Sequence, residues 1–431
     1  MNIDFSFDII ICLLIWGNAR LHPDTQRFLH EFPGGLLVLC SPAGDKRVLV
    51  IKSTNEVLLA SKLCKELLFY LVPFSSQGES TVGLVTAIFD DPDEPLFIGT
   101  PLIADSACED LRQALLQPEI DIHFFDGLGR ELLGYKATMT MPLATRAILE
   151  TVRFFPATAG LVRGMWNGFP MFMGERTEEV DVAAIKVSLS DPMVPEDLFI
   201  MELRPDKNAF HGSPQVRYTS LLRPEPGRLQ EWDIIDLLQR TFDSSRIFHG
   251  PLKVSDREEI ADVVVVTDTR ILVVQAKDSP NTEDIISNKL SRKRATALKN
   301  MRKALRQVRG AASYLRSASE HLMMCNGKNI SISTKGKELV FLVVIKELFS
   351  DQYDEYSKLI SNAYLDTGFP CIALDYMELT QLTSHVLGEE SIFEVLHNIH
   401  VVGQEQGKYP RPRFGLAPSV PYTSEFQSAK E

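Results

Sequence analysis

Residues 259–277 read EIADVVVVTDTRILVVQAK. Two apolar runs of four residues flank the polar turn TDTR, and this pattern predicts a β-hairpin with buried strands. Asp262 opens the first strand, and Gln275 and Lys277 close the second. Because side chains two residues apart on a strand point to the same face, we expect Gln275 and Lys277 to project together, where Asp262 can also reach.

This hairpin carries the chemical groups of a metal site. A carboxylate, an amide oxygen and an ammonium group in one place suit a hard divalent cation and the anion that it polarises. The arrangement D-x(12)-Q-x-K resembles the PD-(D/E)xK nuclease superfamily, in the variant where Gln replaces the second acid, as in Mrr-like restriction endonucleases. The resemblance covers about the last two hundred residues and implies a DNA endonuclease that depends on Mg²⁺ or Mn²⁺.

The resemblance also implies a role for each residue. Asp262 would be the principal metal ligand, Gln275 would bind the metal or its water, and Lys277 would orient the nucleophile and balance the charge of the transition state. A Glu on the helix before the hairpin often adds a ligand, and Glu231 is the best match, with Glu259 the second. The implied catalytic set is Asp262, Gln275, Lys277 and Glu231, and the implied metal set is Asp262, Gln275, Glu231 and Glu259.

The order of predicted elements extends this picture to the C-terminal part of the chain. We expect an α/β fold with a restriction-endonuclease-like αβββαβ core at 226–402. An unassigned α+β region at 1–225 precedes this core, and a flexible tail at 403–431, rich in Pro, Gly, Ser and Gln, follows it. The predicted helices of the core are 229–242, 292–317, 352–363 and 377–387, and the predicted strands are 263–266, 271–274, 338–345 and 371–374.

The first part of the chain gives mixed signals and resembles no family. Pro and Gly cluster at 169–174 and again at 223–227, and the second cluster predicts a hinge between the two parts. The predicted strands are 36–39, 47–51, 82–89, 120–125, 180–189, 198–203 and 216–221, and the predicted helices are 107–116 and 144–154.

Charge is distributed unevenly along the chain. The net formal charge is −12, yet residues 289–316 hold ten basic residues and no acidic one, which leaves 35 basic against 57 acidic residues elsewhere. The apolar residues of this segment step by three and four, which predicts a long amphipathic helix with a basic face. Such a face on an acidic body is typical of proteins that bind a polyanion on one surface. The residues expected to contact nucleic acid are Lys293, Arg294, Lys299, Arg302, Lys303, Arg306, Gln307 and Arg309. Of these, Gln307 lies near the middle of the helix, where Mrr-like nucleases often carry a polar residue close to the metal.

Composition argues against several other classes of protein. The six cysteines include no C-x-x-C pair and the nine histidines show no paired-ligand spacing, which argues against a structural zinc site. No P-loop, dinucleotide-binding glycine pattern or nucleophile elbow is present. The apolar stretch 9–16 lacks a positively charged start and is too short to span a bilayer, so we expect a cytoplasmic protein that does not contact membranes.

Alternatives stay open at this point. Gln at the second acidic position removes one negative charge from the metal site, so the chain could be a nucleic-acid-binding module that no longer cleaves. Residues 1–225 could dock a protein partner or mediate self-association, as in an interaction subunit, and RNA could replace DNA. A second acidic pattern, Asp181 with Glu202 and Arg204, mimics the motif, but its long loop and its Arg in place of Lys predict exposed strand-end residues.

Overall fold

The structure is a computed structural model that describes residues 29, 32, 34–40, 47–76 and 78–412. It shows a mixed α/β chain, as the sequence predicts. The apolar stretch 9–16 and the part of the predicted tail at 413–431 lie outside the described residues. Over the described ranges, no helix is both long enough and apolar enough to cross a membrane.

An eight-stranded sheet dominates the N-terminal part. Its strands are β1 (Gly35–Cys40), β2 (Arg47–Lys52), β3 (Glu66–Ser76), β4 (Glu79–Ile88), β5 (Leu96–Thr100), β6 (Glu119–Phe125), β7 (Glu131–Thr140) and β8 (Ile185–Pro192). The helices of this part are α1 (Asn55–Cys64), α2 (Ser106–Leu115), α3 (Leu143–Thr151), α4 (Ala159–Gly174) and α5 (Glu178–Ala183). The strands lie in the order β1-β2-β6-β7-β8-β3-β4-β5, with β2 and β6 parallel and the other neighbours antiparallel.

A two-stranded ribbon of β9 (Phe199–Glu202) and β10 (Arg217–Ser220) leads into the C-terminal part. The elements that follow are α6 (Gly227–Leu238), β11 (Ile247–His249), β12 (Leu252–Lys253), β13 (Val263–Val266), β14 (Arg270–Lys277), α7 (Glu283–Ile286), α8 (Leu290–Arg316), β15 (Glu320–Cys325), β16 (Lys328–Ser333), β17 (Glu338–Ile345), α9 (Tyr353–Thr367), β18 (Cys371–Asp375), α10 (Tyr376–His385) and α11 (Glu389–Gln406).

The C-terminal sheet has the strand order β11-β13-β14-β17-β18. The strands β11, β13 and β14 are antiparallel neighbours, whereas β17 and β18 run parallel to β14. Helix α6 precedes β11, and helix α8 connects β14 to β17. The chain therefore runs through a helix, three antiparallel strands, a long helix and a parallel strand. Strand β12 pairs with the β15–β16 hairpin in a separate small sheet.

The β13–β14 hairpin forms where the sequence predicts it. Its residues Val263, Val264 and Val265 are fully buried, and both α6 and α8 pack against β14. Continuous apolar sequence suits a strand that is covered on both faces. The turn is closed by Thr267, whose Oγ1 accepts a hydrogen bond from the backbone N–H of Arg270 at 3.0 Å.

Helix α8 also lies close to its predicted bounds. Its buried residues Met301, Leu305 and Val308 lie on one stripe, and this stripe faces β14 and β17. The apolar spacing by three and four therefore decides which face is buried, and it leaves the basic side chains on the outer faces.

The predicted strand at 180–189 is wrong in its first half. Residues Glu178–Ala183 form helix α5, and β8 begins only at Ile185. Thr177 caps this helix, because its Oγ1 accepts a hydrogen bond from the Val180 N–H at 3.4 Å. Three acidic residues in the first turn add favourable interactions with the helix N-terminus. Capping and charge thus outweigh the β-branched residues of the segment.

Neither Pro- and Gly-rich cluster forms an open linker. The cluster at 169–174 lies in α4, with Pro170 inside the helix. At the predicted hinge, Arg223 is only 3% exposed, and its backbone pairs with that of Asn281. The segment is therefore anchored at Arg223, whereas Pro224, Glu225 and Gly227 are exposed.

Part of the segment expected to be a flexible tail is folded. Helix α11 continues to Gln406, and Tyr409 is buried and donates its backbone N–H to Ser357 Oγ at 2.9 Å. Arg411 donates to Glu378 Oε1 at 2.7 Å. These contacts hold the chain against α9 and α10 as far as residue 411, beyond the predicted start of the tail at 403.

Candidate active site

Asp262 and Lys277 meet at the open end of the β13–β14 hairpin. The hairpin register puts Asp262 opposite Gln275, one step beyond the last ladder pair. Asp262 Oδ2 accepts hydrogen bonds from the Ala276 backbone N–H at 2.6 Å and from Lys277 Nζ at 3.1 Å. Asp262 is 4% exposed. The site therefore contains a buried carboxylate that is held by one backbone donor and one ammonium group.

Gln275 contributes an acceptor that has no donor. The residue is 1% exposed, and its Nε2 donates to the Ile260 carbonyl oxygen at 3.2 Å. Its Oε1 is buried and accepts no hydrogen bond in the described structure. A buried carbonyl oxygen without a donor costs free energy, so a cation or a water molecule at this oxygen would stabilise the site.

Glu231 and His249 form a second pair beside the hairpin. Glu231 lies on α6, and His249 ends β11, where it pairs with Val263, the neighbour of Asp262. His249 Nε2 and Glu231 Oε2 are 2.7 Å apart. The sequence did not single out His249, because β11 has only three residues and gives no strand signal by itself.

Glu259 has a strongly shifted pKa. It is an exposed residue on the approach to β13, but partial burial of its carboxyl group, with the negative charges of Asp262 and Glu231, raises its pKa to about 7. Burial likewise raises the pKa of Asp262, against the opposing charge of Lys277. The negative charges of Asp262 and Glu231 thus add to burial in opposing the ionisation of Glu259.

The predicted metal ligands do not all converge. Among the described residues, no three His, Cys, Asp or Glu side chains are grouped so that they could hold one metal ion. Asp262 and Gln275 lie together, whereas Glu231 is bonded to His249. The oxygens that remain for a cation are Gln275 Oε1 and Asp262 Oδ1, since Oδ2 is already hydrogen-bonded.

The basic face of α8 is narrower than the sequence predicts. Four of its basic residues form ion pairs with acids from distant segments: Lys293 with Asp90 and Glu56, Arg294 with Asp351 and Glu94, Arg302 with Glu355, and Arg309 with Asp366. Lys299, Lys303 and Arg306 are exposed and make no ion pair within the described part of the chain. An open cleft of about 390 Å³ runs beside Lys299 and Arg306.

Gln307 lies on the inner side of α8. It is partly buried, and its Oε1 has no hydrogen-bond donor among the described residues. It makes no hydrogen bond to Asp262 or Gln275, whose amide and carboxylate partners are all on the hairpin and the segment before it. A position near the metal stays a prediction for this residue.

The competing acidic pattern does not assemble into a site. Asp181 Oδ1 accepts a hydrogen bond from the Tyr70 hydroxyl at 2.7 Å, whereas Arg204 Nε donates to Glu202 Oε1 at 2.9 Å. The pattern is thus divided between a tyrosine contact and a local pair on the β9 strand end.

Comparison with known proteins adds no assignment. No protein-family model matches the chain, and no curated protein sequence matches it. The functional interpretation therefore depends on the geometry of Asp262, Gln275 and Lys277.

Proposed function

We propose that this chain is a metal-dependent nuclease that hydrolyses phosphodiester bonds in DNA. The observation that carries the proposal is the arrangement of side chains at the open end of the β13–β14 hairpin. There Asp262 lies 3.1 Å from Lys277, and Gln275 offers a buried oxygen without a donor. A hard cation is the ligand that such oxygens prefer.

The order of elements supports the same proposal. The order αβββαβ, which the resemblance to PD-(D/E)xK nucleases implies, is met by helix α6, strands β11, β13 and β14, helix α8 and strand β17 when β12, α7 and the β15–β16 hairpin are taken as insertions. The site lies on the second and third strands of that unit, where the resemblance places it.

The residues present fit a divalent cation through two oxygens. Asp262 Oδ1 and Gln275 Oε1 would hold it, with water completing the shell. Mg²⁺ or Mn²⁺, when bound, supplies a Lewis acid that neutralises phosphate charge and lowers the pKa of water. Lys277 then stabilises the negative charge that develops on the phosphate oxygens. Glu259, with a pKa of about 7, can accept or give up a proton near neutral pH.

The exposed part of α8 supports a nucleic-acid substrate. Lys299, Lys303 and Arg306 project without acidic partners in the described structure. Such residues contact the phosphate backbone and give affinity that depends on salt but carries little sequence information.

The direct test is cleavage of supercoiled plasmid, single-stranded DNA and RNA with Mg²⁺ or Mn²⁺, against a sample with chelator. We expect the wild-type protein to cut DNA only with metal. Lys277→Ala should lower the rate by about 10²- to 10³-fold, the usual effect of removing one group that stabilises transition-state charge. Asp262→Asn should behave like chelation.

Two matched controls separate the site from general damage. Asp268→Asn changes an acid at the closed end of the same hairpin, 90% exposed at its side chain, and Lys328→Ala removes an exposed lysine on β16. Both should cut like wild type. Full activity of Lys277→Ala would remove Lys277 from the mechanism, and metal-independent cleavage would overturn the proposal.

A second candidate function is nucleic-acid binding without cleavage. The observation that favours it is that Asp262 Oδ2 is already occupied by Ala276 and Lys277, and that no set of three metal-binding side chains exists in the described residues. Under this alternative the protein binds DNA in a gel-shift assay and leaves it intact with either metal.

A further inference from the structure

A pocket lies at the carboxyl ends of the parallel strands β14, β17 and β18. It has a volume of about 260 Å³ and is shared by the two parts of the chain, since Ser53–Val57 at the start of α1 forms its opposite wall. Ligands commonly bind beyond the carboxyl ends of parallel strands. Neither Asp262, Gln275 nor Lys277 lines this pocket, so it is separate from the candidate active site.

An acidic residue lies at or just after the carboxyl end of each of the three strands, and all three line this pocket. Asp278 comes directly after β14, Glu347 comes just after β17, and Asp375 ends β18. Asp375 is paired with Arg411. In the described structure, Asp278 and Glu347 have no cationic group within salt-bridge distance, and Asp278 accepts only from the Ser279 backbone N–H at 2.7 Å. These two carboxyl groups therefore have no salt-bridge partner, although Lys346 lies near enough to oppose the rise in the pKa of both.

A buried amide gives an independent sign of a ligand. Gln230 on α6 lines the pocket and is only 3% exposed, yet its side chain makes no hydrogen bond to any described residue. Asn55 Oδ1, on the opposite wall, is also buried without a donor. Buried amides are nearly always hydrogen-bonded, so these two groups are consistent with a polar guest between them.

We infer that this pocket binds a small organic cation that carries a primary ammonium group. Its lining carries a negative formal charge, because Glu56, Asp278, Glu347 and Asp375 are acidic and only Arg223 and Lys346 are basic. Arg223 is already paired with Asp233, and from outside the lining Lys293 pairs with Glu56 and Arg411 with Asp375. No three of the acids are grouped closely enough to hold one metal ion in the described part of the chain. An ammonium on a carbon chain has three N–H donors and can therefore donate to several separate acceptors.

The protonation state of Glu347 supports the same ligand. Burial, with the charges of Glu56 and Asp375, raises its pKa to about 8, against Lys293 and Lys346. Burial also raises the pKa of Asp278. A cation beside these groups favours their charged form, so binding near neutral pH releases a proton from the pocket.

The test uses the full chain without metal or nucleic acid, in isothermal titration calorimetry at neutral pH. The probe is 1,4-diaminobutane, and butane-1,4-diol is its uncharged control. We expect saturable binding of the diamine only, with a heat that depends on the ionisation enthalpy of the buffer because a proton is released. Glu347→Gln should weaken binding by at least about tenfold, equivalent to one lost charge-assisted hydrogen bond, and should reduce the buffer dependence.

Controls make each outcome decisive. Asp278→Asn is the second variant and should also weaken the binding, whereas Glu405→Gln, which changes an exposed acid on α11 outside the pocket, should bind like wild type. No heat with the diamine, equal binding of the diol, or unchanged affinity in both pocket variants would overturn the inference. Binding of Mg²⁺ that requires Glu347, without binding of diamine, would overturn it as well.

Discussion

Replacing Asp233 by Asn should destabilise the chain more than any comparable change at its surface. Asp233 lies on α6 and joins the two parts of the chain. Its Oδ1 accepts from Arg130 Nη2 at 2.7 Å, and its Oδ2 accepts from Arg223 Nη1 at 2.6 Å. The three side chains are 2%, 17% and 4% exposed. One buried carboxylate therefore neutralises two arginines.

The size of the destabilisation depends on which partners Arg130 and Arg223 still have after the substitution. Arg130 retains Asp126 at 2.6 Å, but Arg223 keeps only neutral acceptors, Thr219 Oγ1 at 2.7 Å and the Ser220 carbonyl oxygen at 3.1 Å. Removal of one partner from a buried ion pair costs about 3–5 kcal/mol. Because one of the two arginines stays paired, we expect a loss near the lower end, about 3 kcal/mol of the free energy of unfolding.

Urea denaturation followed by circular dichroism measures this loss. Asp268→Asn is the matched control, since Asp268 is 90% exposed where it faces Arg246 and should cost under about 1 kcal/mol. Burial opposes the ionisation of Asp233, but Arg130 and Arg223 outweigh it and hold its pKa below the usual value. The stabilisation is thus present above the unfolded pKa and is lost as pH falls through the folded pKa. Equal losses in both variants would refute the reasoning.

Three further changes address the candidate active site and the basic helix. Gln275→Glu should lower the Mg²⁺ concentration needed for half-maximal cleavage, because it restores a negative charge to the ligand set. Reversal of Lys299, Lys303 and Arg306 to Glu should weaken binding to all DNA sequences and lower the log–log salt slope by about 0.9 per lost phosphate contact. Glu259 has a folded pKa of about 7, above its unfolded value, so its contribution to stability falls as pH rises between the two values. Glu259→Gln should flatten that fall in a series of melting temperatures.

Each of these changes has an outcome that contradicts it. A higher Mg²⁺ requirement in Gln275→Glu would mean that Gln275 is not a ligand. The same charge reversal at Arg302 and Arg309 breaks ion pairs to α9 and should lower the melting temperature as well. The reversal of Lys299, Lys303 and Arg306 could instead leave the protein folded with an unchanged DNA affinity and an unchanged salt slope. In that case α8 is only a solvated surface. If the melting temperature of Glu259→Gln depends on pH as that of the wild type does, Glu259 is not the group that titrates.

The sequence predicted the C-terminal strands well for a physical reason. The segments that became β13, β14 and β17 are continuous apolar runs, and burial on both faces allows few other conformations. Short elements such as β11 were missed, because three residues carry too little pattern to be recognised. The β15–β16 hairpin was also missed, because the exposed Leu322 lies in an apolar run and hides the alternation of buried and exposed residues in β15.

The site was predicted to the extent that it depends on local geometry. Strand alternation alone places Gln275 and Lys277 on one face, and the hairpin turn brings Asp262 opposite them. The pairing of Glu231 with His249 depends on how α6 docks on the sheet, which local patterns do not encode. The ion pairs of α8 depend on acids that lie far away in the sequence, such as Asp90, so its free basic surface could not be read from residues 289–316.

Two adjacent residues at the end of β14, Lys277 and Asp278, contribute to two different proposed sites. Lys277 contacts Asp262 at the hairpin end, whereas the next residue, Asp278, lines the pocket beyond the parallel strands. Lys277 is the last residue of β14 and Asp278 follows it directly, so one short backbone segment contributes to the proposed metal site and to the proposed cation site. The charges differ in the same way, because Lys277 contacts the proposed metal site and Asp278 lines the pocket proposed to bind an ammonium group. A one-residue shift of β14 against β17 would turn these side chains to the opposite faces, so both proposed sites depend on the apolar register of these strands.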